Sequence, residues 1–297
     1  MTSGASSWRS MLFVPALNER FLAKAAERRA DAIQIDLEDA IPEALKDAAR
    51  RSIPTAAERL AAQGVTVVVR INRPWRQAIA DIEASVGPHV SCLTLPKVPD
   101  AGHVRAIAEI LDEVEQERGL PRGHTRLVAM IETCDGLLNM PSIAAAHSRL
   151  CGMTVGAEDL AVALGGRPSF DTLYVPNAQA VVAARNAGIQ PIGYVGTVAD
   201  FADEAAFAAK IAQARDMGFT GGFCIHPKQV PILNEGFAPS QVEIAWARGV
   251  IEALDVAISE GRGAATYEGA MIDRPVAERA RNLLARAEGL SNSALTG

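Results

Sequence analysis

Much is missing from this 297-residue chain, and each absence narrows what it can be. No apolar run approaches the roughly 18 residues needed to cross a bilayer, so no membrane span is expected. Basic residues are outnumbered, 29 Lys and Arg against 35 Asp and Glu, and a net charge of −6 offers no footprint for nucleic acid. The four cysteines (Cys92, Cys134, Cys151, Cys224) contain no CxxC pair. They read as buried thiols of a reducing compartment, not as a disulfide framework or a zinc site. Residues Met1–Ser7 are small and polar, without the apolar stretch of a secretory signal, so a cytoplasmic location is expected. No linker rich in Pro, Gly or Ser divides the chain.

What is present is alternation. Short β-type runs fall at Ser10–Val14, Ala32–Leu37, Val65–Ile71, Val90–Leu95, Arg126–Ile131, Met153–Val155, Gln190–Tyr194 and Gly222–Ile225. Helical patterns separate them, at Glu19–Arg29, Leu45–Ala62, Gln77–Ser85, Ala101–Arg118, Gly136–His147, Pro176–Ala187 and Asp200–Met217. Strict alternation calls for a parallel sheet covered by helices. The almost wholly apolar run from Val65 to Val69 indicates a strand buried on both faces. Eight such strands point to an α/β fold of the (β/α)8 TIM-barrel type. A dinucleotide-binding sheet would need GxGxxG after the first strand, which instead continues Val14-Pro15-Ala16-Leu17-Asn18.

The barrel is expected to occupy residues 1–235. A C-terminal helical extension, residues 236–297, follows within the same domain. It comprises a helix over Ser240–Glu260, a tail over Thr266–Asp273 and a last helix over Pro275–Ala287, with Asp273 near its N-cap. An extension this short is expected to pack on a neighbouring subunit as a lid.

Barrel enzymes work where strands hand over to loops. Here those positions carry Asp36-Leu-Glu-Asp39, Arg70-Ile-Asn72, Leu95-Pro-Lys97, Glu132-Thr133, Glu158-Asp159 and His226-Pro227. Charges directly after apolar strands are expensive unless they are paired. Glu132 and Asp159 lie 27 positions apart, about one strand–helix–strand repeat, so their carboxylates are expected side by side. A carboxylate-rich set without a His or Cys cluster suits Mg²⁺, with Glu132 and Asp159 as ligands. Glu38 and Asp39 would hold metal-bound waters. The small pair Gly156-Ala157 lets backbone N–H groups approach a substrate carboxylate. His226, the one histidine at a strand end, reads as part of a structural turn. His89, His103, His124 and His147 have no expected chemical role, and Trp246 and Met271 read as packing residues.

Eight blocks in order also carry a family resemblance: Arg9-Ser-Met-Leu-Phe-Val-Pro15, Asp36-Leu-Glu-Asp-Ala40, Val69-Arg-Ile-Asn72, Leu95-Pro-Lys-Val98, Ile131-Glu-Thr133, Gly156-Ala-Glu-Asp-Leu160, Cys224-Ile-His-Pro227 and Met271-Ile-Asp273. Together they resemble the HpcH/HpaI aldolase and citrate lyase β-subunit family of CoA-ester lyases. The resemblance implies a TIM barrel assembled as a homotrimer or homohexamer. It implies Mg²⁺, with Mn²⁺ as an alternative, and cleavage of a C–C bond in a CoA thioester, the substrate. By similarity, Glu132 and Asp159 ligate the metal, and Arg70 and Glu132 contact the 2-oxo acid. Asp273 resembles an acid that reaches a neighbouring subunit's site, and Phe13, Lys24, Ile225, His226 and Pro227 resemble the CoA-binding region. Ala16 replaces a glycine common in the family, and Gly193-Tyr-Val-Gly-Thr197 replaces a more acidic segment. The expected reaction turns a citramalyl-, malyl- or citryl-CoA into a 2-oxo acid and an acyl-CoA. Arg70 would stabilise the enolate and Asp273 would protonate it. The alternatives are a CoA-independent metal-dependent 2-oxo acid aldolase, a malyl-CoA-type thioesterase and a non-catalytic lyase subunit.

Overall fold

The computed structural model describes residues 8–199 and 201–295, with side chains to residue 290. The expectations for Met1–Ser7 and for a helix starting at Asp200 fall outside the described residues.

Eight parallel strands form one sheet: β1 (Ser10–Pro15), β2 (Ala32–Asp36), β3 (Thr66–Arg70), β4 (Cys92–Leu95), β5 (Arg126–Ile131), β6 (Leu150–Val155), β7 (Gln190–Pro191) and β8 (Gly222–Cys224). Their order is β7-β6-β5-β4-β3-β2-β1-β8. The two ends meet through a parallel bridge between Ile192 and Gly221, where Gly193 N–H donates to Gly221 O at 2.8 Å. The sheet therefore closes on itself as a barrel, and no long edge is left open. All eight expected strands are present, each within four residues of its expected limits.

The alternation of side chains along each strand makes two separate cores. Met11, Ala32, Val68, Cys92, Val128, Ile192 and Phe223 meet inside the barrel. Their neighbours in sequence, such as Leu12, Ile33, Val67, Val69, Leu93 and Leu127, pack against the surrounding helices. Full burial of one such aliphatic side chain contributes about 1.5–3 kcal/mol, so the barrel rests on many equivalent contacts.

Several helices differ from expectation for identifiable reasons. The first stops at Ala23 and is followed by a 3₁₀ turn over Ala26–Arg28, ended by Arg29 in the left-handed region at φ 56°. The pattern over 136–147 splits into Cys134–Leu138 and Met140–Ala144. Ser169 caps a helix over Phe170–Ala187 by accepting the Thr172 N–H, so that helix begins ahead of Pro176. Ala157–Ala163 and Gln229–Phe237 are additional helices. The first of them corrects one reading: Glu158 and Asp159 do not end β6 but occupy the first helical turn after Gly156.

Residues Trp8–Phe237 form one compact unit and the chain from Ala238 onward belongs to another. The second contains a helix over Gln241–Ser259, started by a Ser240/Glu243 capping box, a hairpin of Ala265–Tyr267 and Ala270–Ile272, and a helix over Arg274–Leu295. Its core includes Ala247, Val250, Leu254 and Ile272. Asp273 caps the last helix, its Oδ1 accepting the Val276 N–H at 3.3 Å. Trp246 packs on this core and lies under the Arg279 guanidinium. Met271 does not pack: strand alternation sends Ile272 inward and leaves Met271 70% exposed. The cysteines divide as well. Cys92 and Cys224 are buried and Cys151 is half-buried, whereas Cys134 is exposed at a helix start. No helix among the described residues is long and apolar enough to cross a membrane.

Candidate active site

The ends of β2 to β6 place a set of charged groups at one mouth of the barrel. The last residue of β2, Asp36, stands beside the last of β3, Arg70, in register. The Arg70 guanidinium donates to both Asp36 carboxylate oxygens at 2.8 Å, a bidentate pair buried on both sides. Its other edge reaches Glu38 at 2.9 Å and Asp39 at 3.2 Å, and its face lies 4.9 Å over the Phe13 ring. The loop carrying Glu38 is anchored from below, because Lys46 Nζ donates to the Leu37 and Glu38 carbonyls at 2.6 Å.

Lys97 joins this half of the site to the other. Its ammonium meets Glu38 at 2.9 Å and Asp159 at 3.3 Å, and its backbone N–H donates to Glu132 Oε2 at 2.8 Å. Burial alone would lower the Lys97 pKa, but the bond to Glu38 and the charges of Glu132 and Asp159 turn the shift upward. Glu132, only 3% exposed, is also shifted upward, but for it the rise favours the neutral form. Burial, and next the Glu38 charge, push its carboxyl up to about 7. Burial also raises Glu38, against the pull of Arg70 and Lys97.

The sign of the Glu132 shift has a measurable consequence. A carboxyl whose folded pKa is raised adds stability below its unfolded value near 4.5 and loses that contribution as pH rises through about 7. Gln mimics the protonated acid. In EDTA, Glu132→Gln should therefore unfold several degrees higher than wild type at pH 8 and close to wild type at pH 4.5. Thermal melts at the two pH values check this, and equal melting at pH 8 contradicts it.

Gly156 is required by a close approach. A Cβ on residue 156 would overlap Oε1 and Cγ of Glu132, so only glycine lets the carboxylate lie against the start of the Ala157 helix. Gly156→Ala should displace Glu132 and lower turnover by roughly 10²-fold, the cost of a misplaced site group. Activity within twofold of wild type would show that the carboxylate does not need this position.

These groups border a cavity of about 490 Å³. Asp36, Asp39, Arg70, Glu132, Gly156, Ala157 and Asp159 form its polar wall. Phe13, Phe21, Met130, Tyr194, Val198, Phe223 and Ile225 form the apolar one. A second hollow, about 230 Å³, shares Phe13, Phe21 and Ile225 with it and is lined also by Lys24, His226 and Pro227. All five residues expected to hold CoA thus meet at one place. Arg20 and Arg28, four positions either side of Lys24, line the same hollow and were not anticipated, although one helix over Glu19–Arg29 would have put all three on one face. Asp36 was expected only as one of several strand-end carboxylates facing Arg70 and Lys97; its bidentate pairing with Arg70, 34 positions later, emerges from the structure. His226 forms a turn, as expected: Gln229 Oε1 accepts the Ile225 and His226 N–H groups, and the imidazole stacks on Phe201 at 4.7 Å. Asp273 lies in the other compact unit.

The donor set fits Mg²⁺. Among the described residues no three His, Cys, Asp or Glu side chains form a ready cage. Mg²⁺ needs none, because it commonly takes one or two protein carboxylates and fills the other positions with water and substrate oxygens. Glu132 and Asp159 supply such a pair, both on the cavity wall and both in contact with Lys97. Glu38, fixed between Arg70 and Lys97, stands behind them.

Comparison with known proteins gives the family. The family model for HpcH/HpaI aldolase/citrate lyase matches residues 9–227. The citrate lyase β subunit of Escherichia coli K12 is 36% identical over 285 residues, 94% of this chain and 93% of that protein. A (3S)-malyl-CoA thioesterase of Cereibacter sphaeroides KD131 is 36% identical over 296 residues, 98% of each chain. Among solved structures, CitE from Mycobacterium tuberculosis in complex with magnesium, acetoacetate and coenzyme A superposes with a TM-score of 0.74 at 32% identity. That match covers 94% of this chain and 97% of the other.

Proposed function

Since the chain belongs to the HpcH/HpaI aldolase/citrate lyase family, an enzyme family of lyase chemistry, we propose that it is a Mg²⁺-dependent lyase acting on a 3-hydroxyacyl-CoA that carries a carboxylate on the hydroxyl-bearing carbon. Citramalyl-, malyl- and citryl-CoA are of this type. The observation that carries the reading is the joining of a carboxylate-lined cavity to a hollow with a basic rim. Arg20, Lys24 and Arg28 suit the phosphates of CoA, and the shared neck of Phe13, Phe21 and Ile225 suits its thioester arm.

A bound Mg²⁺, or Mn²⁺ in its place, would polarise the substrate's carboxylate and hydroxyl oxygens. The protein groups do the rest. The backbone N–H of Ala157, the first residue of its helix, would receive the carboxylate; that of Gly156, expected to do the same, is already taken by the Ile131 carbonyl at 3.0 Å. Loss of the hydroxyl proton to a water molecule of the open cavity and rupture of the bond to the thioester α-carbon, whose electron pair stays on that carbon, would leave a 2-oxo acid and an acyl-CoA enolate. Asp36 holds Arg70 by its Nε/Nη2 edge, so the guanidinium stands ready for the negative charge that develops. A substrate oxygen would reach Nη1 by displacing Asp39, whose side chain is 61% exposed. A proton delivered to the enolate carbon completes the products. We assign that step to Asp273, working in the cavity of a neighbouring copy within a homotrimer or homohexamer.

In D₂O with acetyl-CoA and Mg²⁺, wild type should exchange the acyl methyl protons and Asp273→Asn should not. Equal exchange by both proteins removes Asp273 from the chemistry. A thioesterase is the second reading, favoured by the 36% identity to malyl-CoA thioesterases, equal to that with citrate lyase β subunits. Free thiol released together with the intact hydroxy acid, and no 2-oxo acid, would identify it.

A further inference from the structure

Lys97 is one of three non-glycine described residues with positive φ, and the only one of the three at the site. At φ 49° its backbone is left-handed, a conformation that an L-residue with a Cβ adopts only where its surroundings impose it. The conformation has a use. It lets a single residue aim its N–H at Glu132 and its ammonium at Glu38 and Asp159, so it sets the spacing of three carboxylates carried by different segments.

The residue that holds this conformation comes from the loop after β3. Arg73 Nε donates to the Lys97 carbonyl at 3.2 Å. The Val98 N–H of the same peptide group is tied to Met130 O at 3.2 Å, so the peptide after Lys97 is held at both its carbonyl and its N–H, while the one before it is held by the Lys97 N–H on Glu132. The Arg73 guanidinium lies 5.9 Å from the Trp75 ring centre, and Trp75 rests on His103 at 4.8 Å. Burial, and then the Arg73 charge, lower the His103 pKa to about 4, so near neutral pH the imidazole places no second cation behind Arg73. Arg73 itself is not among the residues bordering the cavity.

We propose that Arg73 is a positioning residue of this site: its bond to the Lys97 carbonyl locks Lys97 in the left-handed form and thereby fixes Glu132 and Asp159 in register. The proposal rests on the functional reading above only for what the two carboxylates bind.

A double-mutant cycle tests it. Glycine adopts the left-handed conformation without strain, so Lys97→Gly needs no clamp even though it lacks the ammonium. Mn²⁺ affinity is measured by electron paramagnetic resonance in wild type, Arg73→Gln, Lys97→Gly and the double variant. Arg73→Gln should weaken Mn²⁺ binding about tenfold in the wild-type background, the usual range for a residue supporting a metal ligand, and less than twofold in the Lys97→Gly background. Arg73→Lys, which keeps a donor, should recover part of the loss. Equal losses in both backgrounds, or no loss in either, overturn the proposal. The same cycle read in urea unfolding needs no ion. A wild type that binds no Mn²⁺ contradicts the metal reading, while non-additive unfolding midpoints still support the role of Arg73 and additive ones refute it.

Discussion

Glu132→Gln and Asp159→Asn should each lower kcat/KM in saturating Mg²⁺ by at least about 10³-fold, while neither lowers the melting temperature. The size follows from the several kcal/mol of charge stabilisation that a bound divalent ion supplies, at about 1.4 kcal/mol per tenfold in rate. The two changes remove a charge and preserve shape. The amide introduced by Glu132→Gln would keep an oxygen for the Lys97 N–H that Glu132 now accepts at 2.8 Å. Asp159 is 40% exposed, so its loss leaves no buried orphan. If the cavity holds the ion through these two groups, both variants fail in the same way, and raising Mg²⁺ restores part of the rate. Full activity in either variant takes that residue out of the metal site.

Arg70→Met should be the most destabilising single change at the barrel mouth. Asp36 and Glu38 are 3% and 7% exposed, and Arg70 meets both of them. Its removal leaves the buried Asp36 carboxylate without a counter-charge, held only by the Glu38 and Ala40 N–H groups, a loss of about 3–5 kcal/mol. For a domain of this size that corresponds to roughly 10 °C in melting temperature. Activity should vanish as well, since the cation facing the reacting oxygens is gone. Arg70→Lys should repair little, because one ammonium cannot reproduce the bidentate grip at 2.8 Å on both Asp36 oxygens. Adding Asp36→Leu to Arg70→Met should recover much of the stability and none of the activity, which separates the two roles of the pair. A melting temperature for Arg70→Met within two degrees of wild type would mean that the pair is not held as described.

The barrel was legible because parallel strands buried on both faces leave apolar runs that stop abruptly at charges. Glu132 was legible for the same reason: it is the first polar residue after Arg126–Ile131. Asp159 was correctly matched to a neighbouring position, but its helix was not seen, because a seven-residue helix beginning directly after Gly156 leaves too short a pattern to read. The carboxylates at the end of β2 could be expected to face Arg70 and Lys97, yet which of them grips Arg70 could not be read, since register between strands is fixed by the closed sheet and not by local sequence. The left-handed backbone of Lys97 had no local signal at all. Lysine is not a residue that favours it, and the contacts that impose it come from Arg73, Glu132, Glu38 and Asp159. The cationic row, by contrast, had a signal: Arg20, Lys24 and Arg28 stand at the spacing of one helix face, and they line one hollow even though the helix breaks after Ala23.

The central claim is metal-dependent carbon–carbon cleavage beside a CoA thioester. Its most direct test is a product balance for the purified chain incubated with malyl-, citramalyl- and citryl-CoA, in Mg²⁺ and in EDTA. The claim predicts that one of them yields a 2-oxo acid and an acyl-CoA in equal amounts with Mg²⁺ and neither product with EDTA. A 2-oxo acid formed at the same rate in EDTA, or free thiol with no 2-oxo acid from any of the three, would contradict it.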